Sequence, residues 1–480
     1  MTASPPEPFD VIVVGGGPAG MIAALQAGRL GARTTLVSRG AVGGMAATDG
    51  PVPVRVLAQA ARLRRDARHL PRYGIETGEI ALNYPRLLQR VHEVVGDVGE
   101  HAMLRSELDD AGVVLREHTG TARFVDPHTI ATENGVSLRA DKVVLCAGGI
   151  NRLLPVPGAE LVGSHRDAWT LSRVPHSLLV IGAGATGAQV ASVFAELGAR
   201  VTLFEAGPRI LATEDEDVSR VMAACFRASG IDVREGFGRV HRFEKTREGV
   251  RMSFGTNEVS NSVEAELAVA AIGWLADTAG LNLSAAGVAT NTRGYVQVDE
   301  HLRTTASHVF AAGDITGKLM LVPQAAQDGY LAATNAVQGL GATLTPPVCP
   351  IGSFTDPEYA QVGPTETRAR QDHDVVVATA PFAATARPII DGRTDGFCKV
   401  IVDRHSHRLL GCHIVGERAV ELAQVASVAI AADMTVEQFA RLPLSFPTYT
   451  NVLGRAVFDA ARQLRAPGFW DIPDLAAAAT

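Results

Sequence analysis

Short apolar runs recur along the chain, each ending in glycines and followed by an alanine-rich stretch with helical spacing. The first, "FDVIVVGGGPAGMIAALQAGRLGARTTLV", passes from an apolar strand through a turn at Gly15, Gly17 and Gly20 into a helix and a second apolar strand. That order predicts a βαβ unit. Gly15 permits the tight turn, Gly17 lets the backbone approach a pyrophosphate, and Gly20 allows close packing of the helix that opens at Pro18 and Ala19. The free N–H groups of the helix start then face the anion.

A second copy, "SLLVIGAGATGAQVASVFAELGARVTLFE", puts Gly182, Gly184 and Gly187 in the same places, with Ala185 and Thr186 opening the helix and Glu205 closing the next strand. Two dinucleotide sites follow. The Glu205 carboxylate accepts hydrogen bonds from a ribose diol and repels a 2′-phosphate, which favours NADH over NADPH, while Arg209 moderates that preference. The first copy has Ser38, followed by Arg39, where an acid normally holds the adenosine ribose, and a hydroxyl is a weaker substitute. A third signature, "HVFAAGDITG", sets Gly313 and Asp314 after an apolar strand, as sites for a flavin's ribityl chain do; its plainer reading is a strand ending in a Gly-Asp turn.

At 480 residues the chain has room for roughly three domains of about 150 residues. Hydrophobic residues make up 46%, yet no run approaches the roughly 20 apolar residues of a membrane span, which predicts a soluble protein with no membrane partner. The net charge of -7 argues against a nucleic-acid partner. One basic cluster, "RLRRDARHLPR" from Arg62 to Arg72, has helical spacing and is expected as a solvated face. The opening "MTASPPEPFD" has neither a basic n-region nor an apolar core, so it is expected as a short disordered lead and the protein as cytoplasmic. Cys146, Cys225, Cys349, Cys398 and Cys412 never form a C-x-x-C spacing and are expected as reduced, mostly buried thiols. No metal motif appears, since His405 and His407 in "DRHSHRL" read as a turn between two strands.

With these signatures in order, the chain resembles the flavoprotein pyridine nucleotide-disulfide oxidoreductases, the dihydrolipoamide dehydrogenase and mercuric reductase family. The resemblance also rests on "CAGGINRLLPVPG", containing Ala147 and Gly148, on "AAIGWLADTAGL", containing Gly273, and on "FTDPEYAQVGPTE". It implies an α/β fold with two Rossmann-like dinucleotide-binding domains, for FAD and NAD, plus a C-terminal α+β dimerisation domain. The implied boundaries are 1–155 and 280–346 for the FAD domain, 156–279 for the NAD domain and 347–480 for the interface domain. A homodimer is implied, in which the flavin has nicotinamide on one face and a redox disulfide on the other, with a His-Glu pair from the partner subunit.

The second face is where this sequence departs. The family pattern G-G-x-C-x-x-x-x-C-x-P-x-K aligns with "GGMAATDGPVPVR", so that after Gly44 and Met45 the two cysteine positions are Ala46 and Pro51, and Arg55 replaces the lysine. Neither a methyl group nor a pyrrolidine ring can exchange with a disulfide, which requires a thiolate, so disulfide reduction is excluded on this reading. The family's H-P-T-x-x-E aligns with "FPTYTN", which puts Phe446 in place of the histidine and Asn451 in place of its carboxylate. That proton relay is absent too.

Either the protein has lost catalysis, or the flavin's second face serves another substrate. Intact glycine loops, Glu205 and Asp314 favour the second. Phe446 and Tyr449 from the partner would make that face apolar and aromatic, suited to planar quinones, enones or similar small conjugated molecules. Arg55 is the candidate for stabilising negative charge, because the carboxylate that the family pairs with this position aligns with Gln189; its alternative is a salt bridge elsewhere. The resemblance places Gln324 and Ala325, in "VPQAAQDGY", at the flavin pyrimidine, and puts Ala185 where relatives carry an aromatic residue over the nicotinamide pocket. For proton delivery the sequence offers Asp49, Thr48 and Tyr449. The function expected is therefore an FAD-dependent oxidoreductase passing electrons between NADH and a small conjugated molecule. A flavin-dependent dehydrogenase or oxidase using NAD or oxygen as acceptor, and a non-catalytic nucleotide-binding protein, are the other readings.

Overall fold

The apolar run Glu7–Val14 lies inside a seven-stranded sheet with the order Val114–Arg116, Thr34–Val37, Glu7–Val14, Ser137–Leu145, Thr129–Thr132, Ala122–Asp126, and Val309–Ala311 also pairs with Ser137–Leu145. Pairing is parallel on both sides of Glu7–Val14. Val11, Ile12, Val13 and Val14 are all buried although successive side chains point to opposite faces, which is why a parallel strand covered on both faces reads as a continuous apolar run. The helices Pro18–Arg29 and Val322–Gln338 cross closely: a side chain at Gly329 would come within 2.1 Å of the Ala19 carbonyl oxygen.

This computed structural model describes residues 7–101, 104–256, 259–344 and 348–465. They form two compact units. One holds the described residues of Met1–Leu57, Asn83–Leu153 and Ile272–Pro347, and the other those of Ala58–Leu82, Leu154–Ala271 and Val348–Thr480. The described residues of 154–271 and 348–480, most of the stretches expected to bind NAD and to form the interface, thus share a unit with residues 58–82, expected in the first segment, while residues 272–279, expected with the NAD domain, fall in the other unit.

That second unit contains a parallel sheet ordered Asp232–Glu235, Arg200–Glu205, Ser177–Ile181, Leu267–Ala270, and an antiparallel sheet ordered Ile351–Ser353, Tyr359–Val362, Leu409–Val415, Phe397–Asp403, Val375–Pro381. The five-stranded sheet has two different faces. Ala360, Val362, Cys398, Val400, Cys412 and Ile414 pack into an apolar core with residues of the helices Ala419–Ala431 and Thr450–Gln463. On the alternating positions His413 pairs in register with Gln361 and Lys399, and side chains two apart share a face. There the Lys399 ammonium, 3% exposed, is hydrogen-bonded to Asp215 at 2.9 Å and Asp217 at 2.8 Å, and it also pairs with Glu366. Burial would lower its pKa, but hydrogen bonds to Asp217, Glu366 and Asp215 outweigh that and hold it above the ordinary lysine value.

Two expectations change. The N-terminal lead is shorter than expected, because Pro8, Phe9 and Asp10 belong to the strand Glu7–Val14; residues 1–6 lie outside the described residues. The basic cluster is not a solvated face: the Arg65 side chain is only 9% exposed and pairs with Asp356, Glu417 and Asp66, while Arg62 pairs with Glu358 and Glu417. Carboxylates distant in the sequence meet these arginines within the second unit. Among the described residues no helix is long and apolar enough to cross a membrane.

Candidate nucleotide and redox site

In the first unit, Gly15 has φ +112°, and a Cβ there would sit 2.1 Å from the Cys146 carbonyl oxygen. A Cβ on Gly20 would sit 1.8 Å from the Gly15 carbonyl oxygen, so the helix packs against its own turn. At Gly17 a Cβ would meet nothing within 4 Å. The turn is closed toward the sheet and open outward, the shape a pyrophosphate needs to approach backbone. Pro18 occupies the first turn of its helix, where no N–H is lost from the ladder.

Ser38 is buried, and its hydroxyl donates within its own loop to the Ala41 carbonyl at 3.4 Å. Its neighbour Arg39 forms an ion pair with Asp277 at 2.9 Å. The loop then returns to the glycine turn, with the Gly43 N–H donating to the Gly16 carbonyl at 2.8 Å and Gly44 at φ +56°. Glu117 fastens the same loop by accepting the Val42 N–H at 2.7 Å while paired with Arg105.

Met45 and Ala46 lie on the short helix Gly44–Thr48, and Pro51 and Arg55 on the helix Pro51–His69. Between them the Asp49 and Gly50 N–H groups both donate to the Met45 carbonyl, and the Thr48 hydroxyl donates to Asp49 at 3.1 Å. None of the five cysteines lies on these two helices. Cys146 is buried beneath the glycine turn, and burial followed by the charge of Asp328 pushes its thiol well above the usual range.

Gly148 has φ +77°, and its carbonyl accepts the Asp277 N–H at 3.1 Å; Gly273 has φ +103° and accepts the Arg152 N–H at 3.0 Å. After the strand Val309–Ala311, Gly313 has φ +76°, and a Cβ there would lie 3.1 Å from Ala19 and 3.3 Å from Ala325. Burial, then the charge of Asp328, raises the pKa of Asp314. In the first turn of the helix Val322–Gln338, the buried Gln324 amide nitrogen donates to Asp328 at 2.7 Å while its oxygen has no protein partner. A buried acceptor without a donor calls for one from outside the chain. The open glycine turn, Asp314 and this amide oxygen therefore fit a dinucleotide carrying polar edges, and they are the residues that would hold FAD.

The second unit repeats the cradle: Gly182 has φ +95°, a Cβ on Gly187 would sit 1.8 Å from the Gly182 carbonyl oxygen, and Gly184 has open space. Ala185 is exposed at the start of the helix Ala185–Leu197, with Thr186 beside it. Glu205 accepts the Ala183 N–H at 3.0 Å and the Gly207 N–H at 2.8 Å, which orients the carboxylate beside the glycine turn and leaves further lone pairs for ribose hydroxyls. Gln189 bridges the Ala185 carbonyl and the Phe354 N–H.

Two C-terminal candidates have other partners. The Tyr449 hydroxyl donates to Asp391 at 3.0 Å, and burial followed by that hydrogen bond pushes its pKa well above the ordinary phenol value. Asn451 accepts the Thr448 N–H at 2.9 Å and so braces the start of the helix Thr450–Gln463. Phe446, in the turn before that helix, is 77% exposed. Sequence reasoning missed Asp391, Glu117 and the backbone contacts of Arg209. The Thr448-to-Asn451 spacing at a helix start is the signal that could have pointed to the bracing role of Asn451. Among the described residues, no group of three or more His, Cys, Asp or Glu is arranged to hold a metal ion.

Two glycine cradles, each at the end of a strand with parallel neighbours on both sides and each followed by the chemistry of nucleotide recognition, define the class of a two-nucleotide α/β oxidoreductase. Residues 9–329 match the pyridine nucleotide-disulphide oxidoreductase family and residues 349–457 match its dimerisation domain, so the chain belongs to this flavin-dependent family. It is 33% identical to dihydrolipoyl dehydrogenase 2 of Haloarcula marismortui, with 95% of this chain and 96% of the relative covered. It is 29% identical to a dihydrolipoyl dehydrogenase of Bacillus subtilis, over 94% of this chain and 98% of the relative. Among solved structures, LpdA from Mycobacterium tuberculosis superimposes with a TM-score of 0.85 at 27% identity, covering 94% of this chain and 99% of that one.

Proposed function

We propose that the protein is a cytoplasmic, homodimeric FAD-dependent oxidoreductase that transfers hydride or electrons between NADH and a small conjugated organic molecule, with no redox disulfide. The observation that carries this reading is the pair of helices Gly44–Thr48 and Pro51–His69, which hold Ala46 and Pro51 where the family pattern has cysteines. When bound, FAD supplies a ring that can take up and release an electron pair. The chain's own part is to hold and surround it. The two open glycine turns receive pyrophosphates, Asp314 and Gln324 offer polar contacts in the first unit, and Glu205 accepts from the ribose of the nicotinamide nucleotide.

Arg55 supplies the positive charge that stabilises developing negative charge. A second copy contributes Phe446, whose exposed ring makes the acceptor pocket apolar and suits planar molecules. Tyr449 is held away from proton delivery by the hydrogen bond it donates to Asp391; Asp49, whose carboxylate accepts the Thr48 hydroxyl, takes that role after picking up a proton from solvent.

The test is anaerobic titration of the FAD-loaded protein with NADH, followed by mixing with a panel of quinones and enones. One equivalent of NADH should bleach the flavin fully, and a conjugated acceptor should restore it. Uptake of a second electron pair per FAD would overturn the reading.

A further inference from the structure

The Glu205–Asp215 stretch follows the second glycine cradle, and its hydrogen bonds define a task for Arg209 other than the one its charge suggests. We propose that Arg209 is a positioning residue. By gathering the carbonyl oxygens of the Leu211–Glu214 turn it sets Glu205 and Ala183 for a nicotinamide nucleotide with an unmodified 2′-hydroxyl, and it does not read a 2′-phosphate. This inference rests on the reading of Glu205 as the ribose acceptor.

The guanidinium donates from Nη1 to the carbonyls of Leu211 at 3.4 Å and Glu214 at 3.1 Å, and from Nη2 to the carbonyl of Ala212 at 2.9 Å. A guanidinium recognises phosphate as a planar fork of parallel N–H groups. Here both terminal nitrogens of that fork are engaged by backbone of the residue's own loop.

The turn needs this support. Leu211 is buried with φ +50°, in the left-handed region that a leucine adopts only when its surroundings over-determine it. From Leu211 the hydrogen bonds run to the cradle. Its N–H donates to the Ala183 carbonyl at 2.8 Å, between Gly182 and Gly184, and the Ala183 N–H donates to Glu205 at 3.0 Å. Glu205 in turn accepts the Gly207 N–H at 2.8 Å, and the Gly207 carbonyl accepts the Gly236 N–H at 2.8 Å. The Ile210 N–H donates to Glu235 at 2.9 Å, and the Ser219 hydroxyl donates to the Ile210 carbonyl. Arg209 thus reaches the nucleotide carboxylate through one residue of the glycine turn, and a 2′-phosphate arriving there meets Glu205 with no arginine fork committed to it.

The experiment measures dissociation constants of NADH and NADPH by anaerobic calorimetric titration of the protein with its FAD already reduced, wild type against Arg209→Ala and Arg209→Lys. Arg209→Ala should weaken NADH binding about tenfold or more and leave NADPH within about twofold, compressing the discrimination between them. Arg209→Lys, whose single ammonium holds fewer of the carbonyls, should fall between, and it carries the same contrast if the alanine variant does not fold. Selective loss of NADPH binding would show a phosphate reader and overturn the proposal, as would no change in either constant. Wild-type protein that binds neither nucleotide would overturn both this inference and the reading of Glu205.

Discussion

The Tyr449 hydroxyl and the Arg387 guanidinium donate to the same carboxylate oxygen of Asp391, at 3.0 and 2.7 Å. Tyr449 is therefore a structural pin on the turn that displays Phe446. Tyr449→Phe should lower the thermal unfolding midpoint by the equivalent of about 1 kcal/mol, the loss of one hydrogen bond, while turnover with a quinone stays within about twofold of wild type. Loss of about a hundredfold in turnover, the scale of general acid catalysis, would return Tyr449 to the chemistry.

Glu214 gives a pH dependence. Burial pushes its carboxyl up to about 7 from an ordinary 4.5, against the weaker pull of Thr213 and Arg209. The folded state therefore holds this proton more tightly than the unfolded chain does. The advantage is complete below about pH 4.5 and is lost as the pH rises through about 7, a change of about 3 kcal/mol from this one group. Denaturation midpoints measured from pH 5 to pH 8 should fall more steeply for wild type than for Glu214→Gln. Parallel slopes would show that Glu214 does not titrate in this window.

Much of this architecture could be read along the chain, and the reason is local. Gly15, Gly17 and Gly20, like Gly182, Gly184 and Gly187, carry backbone requirements that neighbours in sequence set, so spacing alone places them. Arg65 and Tyr449 could not be read that way. Their environments depend on Asp356, Glu417 and Asp391, which lie far along the chain, and no periodicity announces such a partner. Arg209 failed for a further reason: its partners are backbone carbonyls, which every residue carries, so composition holds no trace of them.

The adenosine end of the first cradle is open to a direct comparison. Ser38 turns its hydroxyl into its own loop, so Ser38→Ala should change FAD affinity by less than about threefold, whereas Asp314→Ala, which removes a charged hydrogen-bonding group, should weaken it by about 10- to 100-fold. The ratio of flavin to protein absorbance after dialysis reads both. Equal losses would show that Ser38 holds the ribose after all.

Lys399 answers three carboxylates with little water to share the charge. Lys399→Ala should cost about 3–5 kcal/mol, because Asp215 would stay buried without its cation while Asp217 and Glu366 keep only Arg220 and Arg370. The loss should shrink on acidification. Asp215 and Asp217 are held below the ordinary carboxylate range in the wild type: for Asp215 the Glu366 N–H and Lys399 outweigh burial, and for Asp217 Arg220 and then Lys399 act. Their stabilising share is present at neutral pH and disappears as they are protonated. Urea unfolding at pH 7 and pH 4 measures both effects.

The unlike sides of the five-stranded sheet constrain how such a protein can be recombined. Its oily side closes on helices from its own stretch of chain, but its polar side is matched to Glu366 and to two acids that precede it by well over a hundred positions. A chimaera that moves this C-terminal stretch into a relative must carry residues 210–220 with it, or leave Lys399 with Glu366 in place of three carboxylates. The two segments act as one structural unit, and domain shuffling that separates them should yield less stable chains.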